Sequence, residues 1–241
     1  MLTKEQAVAI LTDKAQFMTD SKFDMSGDGC EVGPDGSVSV RGYVIMSVPK
    51  SPLVFNVVTG SFVVPKVKLE SFEGIPRRIN GSLDLPNQKS LTSFSQLPTQ
   101  KVRGDICVSG CGLTDLVGIP ERFIGKNGIT GKSSLIAANN PLVSLKGLER
   151  FTPDSIYLSY SDHLPLLRVL TVKDPNGIHL AEQGAVLDSE SKPTPTTNQK
   201  LKHLMQILRD HAGIVSSQKW KGVLACQRIL MNEGFAGNAK W

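Results

Sequence analysis

Hydrophobic and polar positions along this chain fall into two phrases that alternate. The first reads apolar–x–Gly–x–apolar–x–apolar. Its copies are Val40-x-Gly42-x-Val44-x-Met46, Val58-x-Gly60-x-Phe62-x-Val64, Ile79-x-Gly81-x-Leu83-x-Leu85 and Val102-x-Gly104-x-Ile106-x-Val108. They start 18, 21 and 23 residues apart. A period of two places alternate side chains on one face of a strand. The phrase therefore predicts a β-strand. Glycine within it has no side chain to pack, which predicts a bulge or a close approach of backbones.

The second phrase carries apolar residues at i, i+3 and i+6. It reads Leu69-x-x-Phe72-x-x-Ile75-Pro76, Leu91-x-x-Phe94-x-x-Leu97-Pro98, Leu113-x-x-Leu116-x-x-Ile119-Pro120 and Leu142-x-x-Leu145-x-x-Leu148, with starts 22, 22 and 29 residues apart. Spacing of three suits a tight helical turn in which i and i+3 lie one above the other. The proline ends that turn, because it has no N–H to donate. Strand, turn and short helical segment thus repeat at a nearly constant period. Such self-similarity marks a solenoid, whose units bury their apolar faces only by stacking on one another. Gly60, Gly81 and Gly104 are expected at equivalent places, with Phe62, Leu83 and Ile106 in register beside them.

Over roughly Val40–Tyr160, these phrases resemble the leucine-rich-repeat-like proteins of bacteriophages, some bacteria and giant viruses. The resemblance implies a curved, stacked domain that binds macromolecules and has no catalytic residues. Asn87, Asn139 and Asn140 are candidates for the asparagine ladder of such repeats, although they hold no fixed register. With the insertion at Gly125–Ser134, this predicts an α+β protein built on a short irregular leucine-rich-repeat-like β-solenoid over residues 36–172.

The flanks predict helices. Thr3-x-x-Gln6 forms a capping-box signature, followed by Ala7, Ile10, Leu11, Phe17 and Met18 at helical spacing, so residues 1–23 are expected as an N-terminal helical cap. Asp24–Gly36 reads as a turn, and 189–197, with two prolines among Ser and Thr, as a flexible linker. Leu201, Leu204, Met205 and Leu208, and after Gly213 the set Trp220, Val223, Leu224, Leu230 and Met231, predict a C-terminal helical hairpin over 198–235.

Charge separates the C-terminal segment from the rest. Seven of the 27 Lys and Arg residues but only two of the 22 Asp and Glu residues lie after Asn198, so that segment carries net +5 and the first 197 residues net zero. Lys200, Lys202, Arg209, Lys219, Trp220, Lys221 and Arg228 are therefore the candidate partner-binding residues. Lysine and arginine around an exposed ring suit an acidic protein surface or nucleic acid. A helical pair that only packs its apolar stripe on the solenoid is the competing reading, and Trp220 fits that stripe.

The remaining chemistry is sparse. Gly125-x-x-x-x-x-Gly131-Lys132-Ser133 has five residues between its glycine and Gly-Lys-Ser, where a phosphate-binding loop has four. Cys107 and Cys111 supply two of the four ligands that a structural zinc site needs; Cys107 is expected to face outward. His203 and His211 stand too far apart to share a metal, and Asp162-His163 has no third partner in sequence. No catalytic residue, cofactor or metal is expected. No run of 18 apolar residues exists for a membrane span. The amino terminus lacks the apolar core of a signal peptide, and the four cysteines are scattered, so a cytoplasmic protein is expected, in the host if phage-encoded. The expected function is non-enzymatic: docking a host or phage macromolecule through the repeat surface and basic helices. The alternative is a single-stranded nucleic-acid-binding or transcription-related factor.

Overall fold

Each glycine phrase proves to be a corner joining two short strands rather than one strand. A computed structural model describes residues 2–19, 29–123, 131–218 and 220–241, with the backbone alone over 213–218. Helix α1 (Lys4–Thr12) leads into β1 (Phe17–Thr19), then the hairpin of β2 (Cys30–Val32) and β3 (Val38–Val40). The chain then winds in turns that give one strand to each of two sheets. These are β4 (Val44–Met46), β5 (Phe55–Val58), β6 (Phe62–Val63), β7 (Arg78–Ile79), β8 (Leu83–Asp84), β9 (Lys101–Val102), β10 (Ile106–Cys107) and β11 (Glu121–Arg122). Strands β12 (Ser134–Ala137), β13 (Ser155–Ser159) and β14 (Ile178–Ala181) extend one sheet only.

Sheet A runs β1-β4-β6-β8-β10-β12-β13-β14 and sheet B runs β11-β9-β7-β5-β3-β2. Neighbours are parallel, except β1 against β4 and β2 against β3. The protein is thus an α+β β-solenoid with helices at both ends. Its register is continuous: Val44, Phe62, Leu83, Ile106, Leu135, Ile156 and Ile178 stand in one inward column, and all seven are buried. In sheet B the matching column is Cys30, Val40, Val58, Ile79 and Val102.

The corner explains the glycine. The amides of Gly60, Gly81 and Gly104 donate to the carbonyls of Gly42, Gly60 and Gly81 at 2.7, 2.9 and 2.9 Å. A Cβ on Gly60 or Gly81 would lie 2.5 Å from the carbonyl carbon of the glycine in the preceding turn, and one on Gly104 would lie 2.9 Å away. Backbones approach too closely there for any side chain. Beside the glycines, the hydroxyls of Ser61 and Ser82 accept from the amides of Ser82 and Asp105, and the Asp105 carboxylate accepts from Ser134 N–H.

The second phrase forms the third side of each turn. All its apolar positions from Leu69 to Leu148 are buried, with 3-10 segments at Phe94–Gln96 and Leu148–Arg150. The expected asparagines do keep register, in two different roles. Asn87 and Asn139 take left-handed backbone, as Gly110 does one turn between them. The next residue in each turn, Gln88, Cys111 and Asn140, is buried and bonds backbone. Gln88 accepts from Leu69 N–H, Cys111 donates to Leu85 C=O, and Asn140 accepts from Leu113 N–H.

At the amino end, Thr3 and Gln6 form the capping box. Helix α1 stops at Thr12, and Phe17 and Met18 lie on β1 instead, antiparallel to β4. Phe17 closes the first turn of the core with its ring edge against Phe55. The first five residues of the expected Asp24–Gly36 turn and the Gly125–Thr130 part of the insertion fall outside the described residues, and Cys30–Val32 within that expected turn is strand β2. After Lys132 comes strand β12, whereas a phosphate-binding loop leads into a helix.

The carboxyl end is closed by α2 (Gln199–Gln218) and α3 (Trp220–Asn232). Helix α2 runs through Gly213, where the sequence suggested a turn; one glycine inside a helix costs only about 1 kcal/mol, which long flanks tolerate. Leu201, Leu204, Met205, Ile207 and Leu208 are buried, and α2 packs on β14 and on the 3-10 segment Leu167–Thr171. The final residues return to the solenoid, where Asn238 donates to the carbonyls of Ser161 and Leu164. Among the described residues, no helix is long and apolar enough to cross a membrane.

Candidate binding surfaces at the C-terminal end

The seven basic and aromatic residues singled out by sequence divide among separate places. Lys200 lies at one edge, 3.5 Å from Asp162 and over the rings of Tyr160 and Phe235. Lys202 and Arg209 are two helical turns apart on α2 and line a cleft against sheet A. Trp220, Lys221 and Arg228 stand exposed on α3. Lys219 lies outside the described residues.

Trp220 does not join the buried stripe. Val223, Cys226 and Leu230 make the face of α3 that packs inward, while Trp220 is 62% exposed, Leu224 51% and Met231 57%. At 100° per residue, positions 220, 224 and 231 share one stripe, and 221 and 228 share the stripe beside it. The outer face of α3 is thus apolar with two cations alongside. Trp241 extends it: its ring centroid is 5.3 Å from that of Trp220, and the Arg168 guanidinium sits 5.5 Å over it. The nearest acid on the chain, Glu233, is turned toward His203 at 3.3 Å.

The cleft has a different character. Its floor is the outward face of sheet A, where Tyr157 and His179 occupy paired positions on β13 and β14. Their rings stack at 4.3 Å and 7°. Burial and the nearby Arg209 guanidinium hold the His179 pKa below its ordinary value. Arg209 is anchored by Nε and Nη2 donating to Ile178 C=O at 3.2 and 2.6 Å.

One wall is the stretch 184–197, most of it expected as a linker. It is tied down to the sheet. Asn139 donates to Ala185 C=O and accepts from Gly184 N–H, and Ser109 Oγ donates to Ser191 C=O. A bridge between Leu187 and Pro193 folds it on itself. It covers Cys107, which does point outward, as its strand position predicted. Burial and the neighbouring Asp84 push that thiol up to about 12, and burial does the same to Cys111 and Cys226. Such thiols are poor nucleophiles.

Sequence reasoning missed Tyr157, His179 and Lys192 as members of a site. A signal was present: the two rings are 22 residues apart, one repeat, at the same outward position. Among the described residues, no cluster of three or more His, Cys, Asp or Glu side chains could hold a metal ion. Comparison with protein-family models, with characterised proteins and with solved structures found no match.

Proposed function

We propose that this is a non-enzymatic binding protein, of the kind expected from a phage-encoded repeat protein, that docks an acidic host or phage protein on the outer face of α3. One observation carries the reading: Trp220, Leu224 and Met231 lie exposed in a row beside Lys221 and Arg228. Exposed aromatic and methionine side chains are typical anchors at the centre of protein interfaces. The flanking cations favour an acidic partner and speed its approach. A single-stranded nucleic-acid platform stacks successive bases on several rings; here the two rings, Trp220 and Trp241, are tilted 54° to each other and the row continues into Leu224 and Met231.

The test is capture from bacterial lysate by the full chain, by Trp220→Ala and by Lys221→Glu/Arg228→Glu. Removing the whole C-terminal segment would be uninformative, because α2 closes the solenoid. The expected result is a salt-sensitive protein captured by the parent and lost from both variants, with unchanged melting temperatures. Equal capture by all three would remove α3 as the docking face. Salt-sensitive retention on single-stranded DNA or RNA, abolished by the charge reversals, would favour the nucleic-acid reading instead.

A further inference from the structure

The cleft between sheet A and α2 is about 530 Å³, within the range of roughly 300–1,000 Å³ typical of small-molecule sites. Its construction is that of a binding site rather than a packing defect. The floor carries an aromatic pair, Tyr157 and His179, whose faces are turned to each other, with the Lys192 ammonium 5.7 Å from the Tyr157 ring centroid. The opposite wall offers Lys202, Met205 and Arg209 at i, i+3 and i+7 along one side of α2. The strap that forms the remaining wall is fastened to the sheet at Gly184, Ala185 and Ser191, so the cavity exists before any ligand arrives.

Charge in the cleft is one-sided. Lys192, Lys202 and Arg209 line it, against the single carboxylate of Asp188. Asp188 already accepts from the backbone N–H groups of Glu190 and Lys192, and the Lys192 ammonium is paired with Glu190. The Lys202 ammonium has no hydrogen-bond or ion-pair partner among the described residues. Arg209 has its guanidinium held in place through Nε and Nη2 on Ile178 C=O, which leaves Nη1 available to a ligand. A fixed guanidinium and a free ammonium on one wall recognise an anion. The stacked pair opposite offers its ring edges, which pack edge-to-face on a flat π-bearing body.

We propose that this cleft binds a free small molecule that joins a phosphate monoester to a flat heterocycle, of the nucleoside monophosphate class. The phosphate is held by Lys202 and Arg209, and the heterocycle lies against Tyr157 and His179. This site is separate from the outer face of α3 and does not depend on the docking reading.

The experiment uses the full chain with AMP, GMP, CMP and UMP as probes, followed by calorimetry and by the ring resonances of His179. Inorganic phosphate and the unphosphorylated nucleosides are the controls. At least one monophosphate is expected to bind and to shift the His179 resonances, with both controls at least tenfold weaker. Lys202→Ala is expected to weaken binding at least tenfold at an unchanged melting temperature, because that side chain is exposed. Tyr157→Leu tests the ring contact, and its melting temperature reports any loss of fold. Absence of binding by all four probes overturns the proposal, as does binding that Lys202→Ala leaves unchanged. A 5′-phosphorylated oligonucleotide that displaces the mononucleotide with more than tenfold higher affinity overturns the assignment to a free small molecule.

Discussion

The Arg122 guanidinium lies 2.9 Å from the Asp154 carboxylate, at the point where sheet B stops and sheet A goes on. Arg122 continues the inward column of Val40, Val58, Ile79 and Val102, yet its side chain is only 4% exposed. A charge in a dry column needs partners. Arg122 finds them in Asp154 and in the carbonyls of Thr152 and Gly131. Asp154 accepts as well from Ser133 N–H at 2.8 Å. The pair ends one sheet without leaving an apolar edge for another chain to join.

That pair predicts an asymmetric mutational response. Asp154→Ala leaves the Arg122 guanidinium buried and uncompensated, and is expected to cost about 3–5 kcal/mol. Burial alone would raise the Asp154 pKa, but Ser133 N–H and Arg122 outweigh it and the net direction is down. The carboxylate's contribution is therefore present above its unfolded pKa of about 3.9 and lost as pH falls through the lower folded value. Denaturant melts of parent and Asp154→Ala from pH 7 to pH 2.5 should converge at the acid end. A constant gap would mean that the charge is not what stabilises.

The glycine corners predict which glycines matter. Gly81→Ala drives a Cβ into the backbone of Gly60 and Ser61, which cannot give way. Its cost is expected to reach about 1–3 kcal/mol or more. Gly131→Ala meets nothing within 4 Å and should stay within about 0.5 kcal/mol. Equal melting temperatures for the two variants would contradict the stacked corner.

Leu83 stands third in the seven-residue inward column, between Phe62 and Ile106, and is fully buried. Leu83→Ala is expected to cost about 2–5 kcal/mol. Chemical denaturation measures this directly, and a loss under 1 kcal/mol would mean the column is loosely packed.

The two C-terminal helices should respond in opposite ways. Leu204→Asp puts a carboxylate under α2 against the last turn and is expected to destabilise by about 3 kcal/mol or more. Trp220→Ala removes an exposed ring and should change stability by no more than about 1 kcal/mol. A large loss from Trp220→Ala would show that its contact with Trp241 is structural.

His179 makes the strap end of the molecule sensitive to pH. Its pKa is lowered by burial first and by Arg209 second. Below about pH 6.5 the unfolded chain takes up a proton that the folded imidazole resists. Stability is thus full above that value and declines as pH falls through the folded pKa. The melting temperature of the parent should drop between pH 7.5 and pH 5.5 by more than that of His179→Gln. Parallel curves would show that the ring is not held neutral.

The sequence by itself determined the repeat. Its period identifies which residues are equivalent, so Gly60, Gly81 and Gly104, and Phe62, Leu83 and Ile106, fall at matching places. Stacked units require the same side chain environment at the same point of each turn, and that requirement is written directly into the spacing. Period two does not tell whether a chain runs straight or bends at a glycine, because both leave alternate residues facing inward. Only the tertiary structure decided that the phrase is a corner between two sheets. The ladder position was likewise hidden, since glutamine, cysteine and asparagine reach backbone groups there by different atoms. On the C-terminal helices, the sequence showed the amphipathic spacing and the charge. Which part of each helix is covered depends on how α2 and α3 meet turns that are distant in sequence. That long-range contact buried Val223, left Trp220 in the open, and turned Lys202 and Arg209 toward Tyr157 and His179.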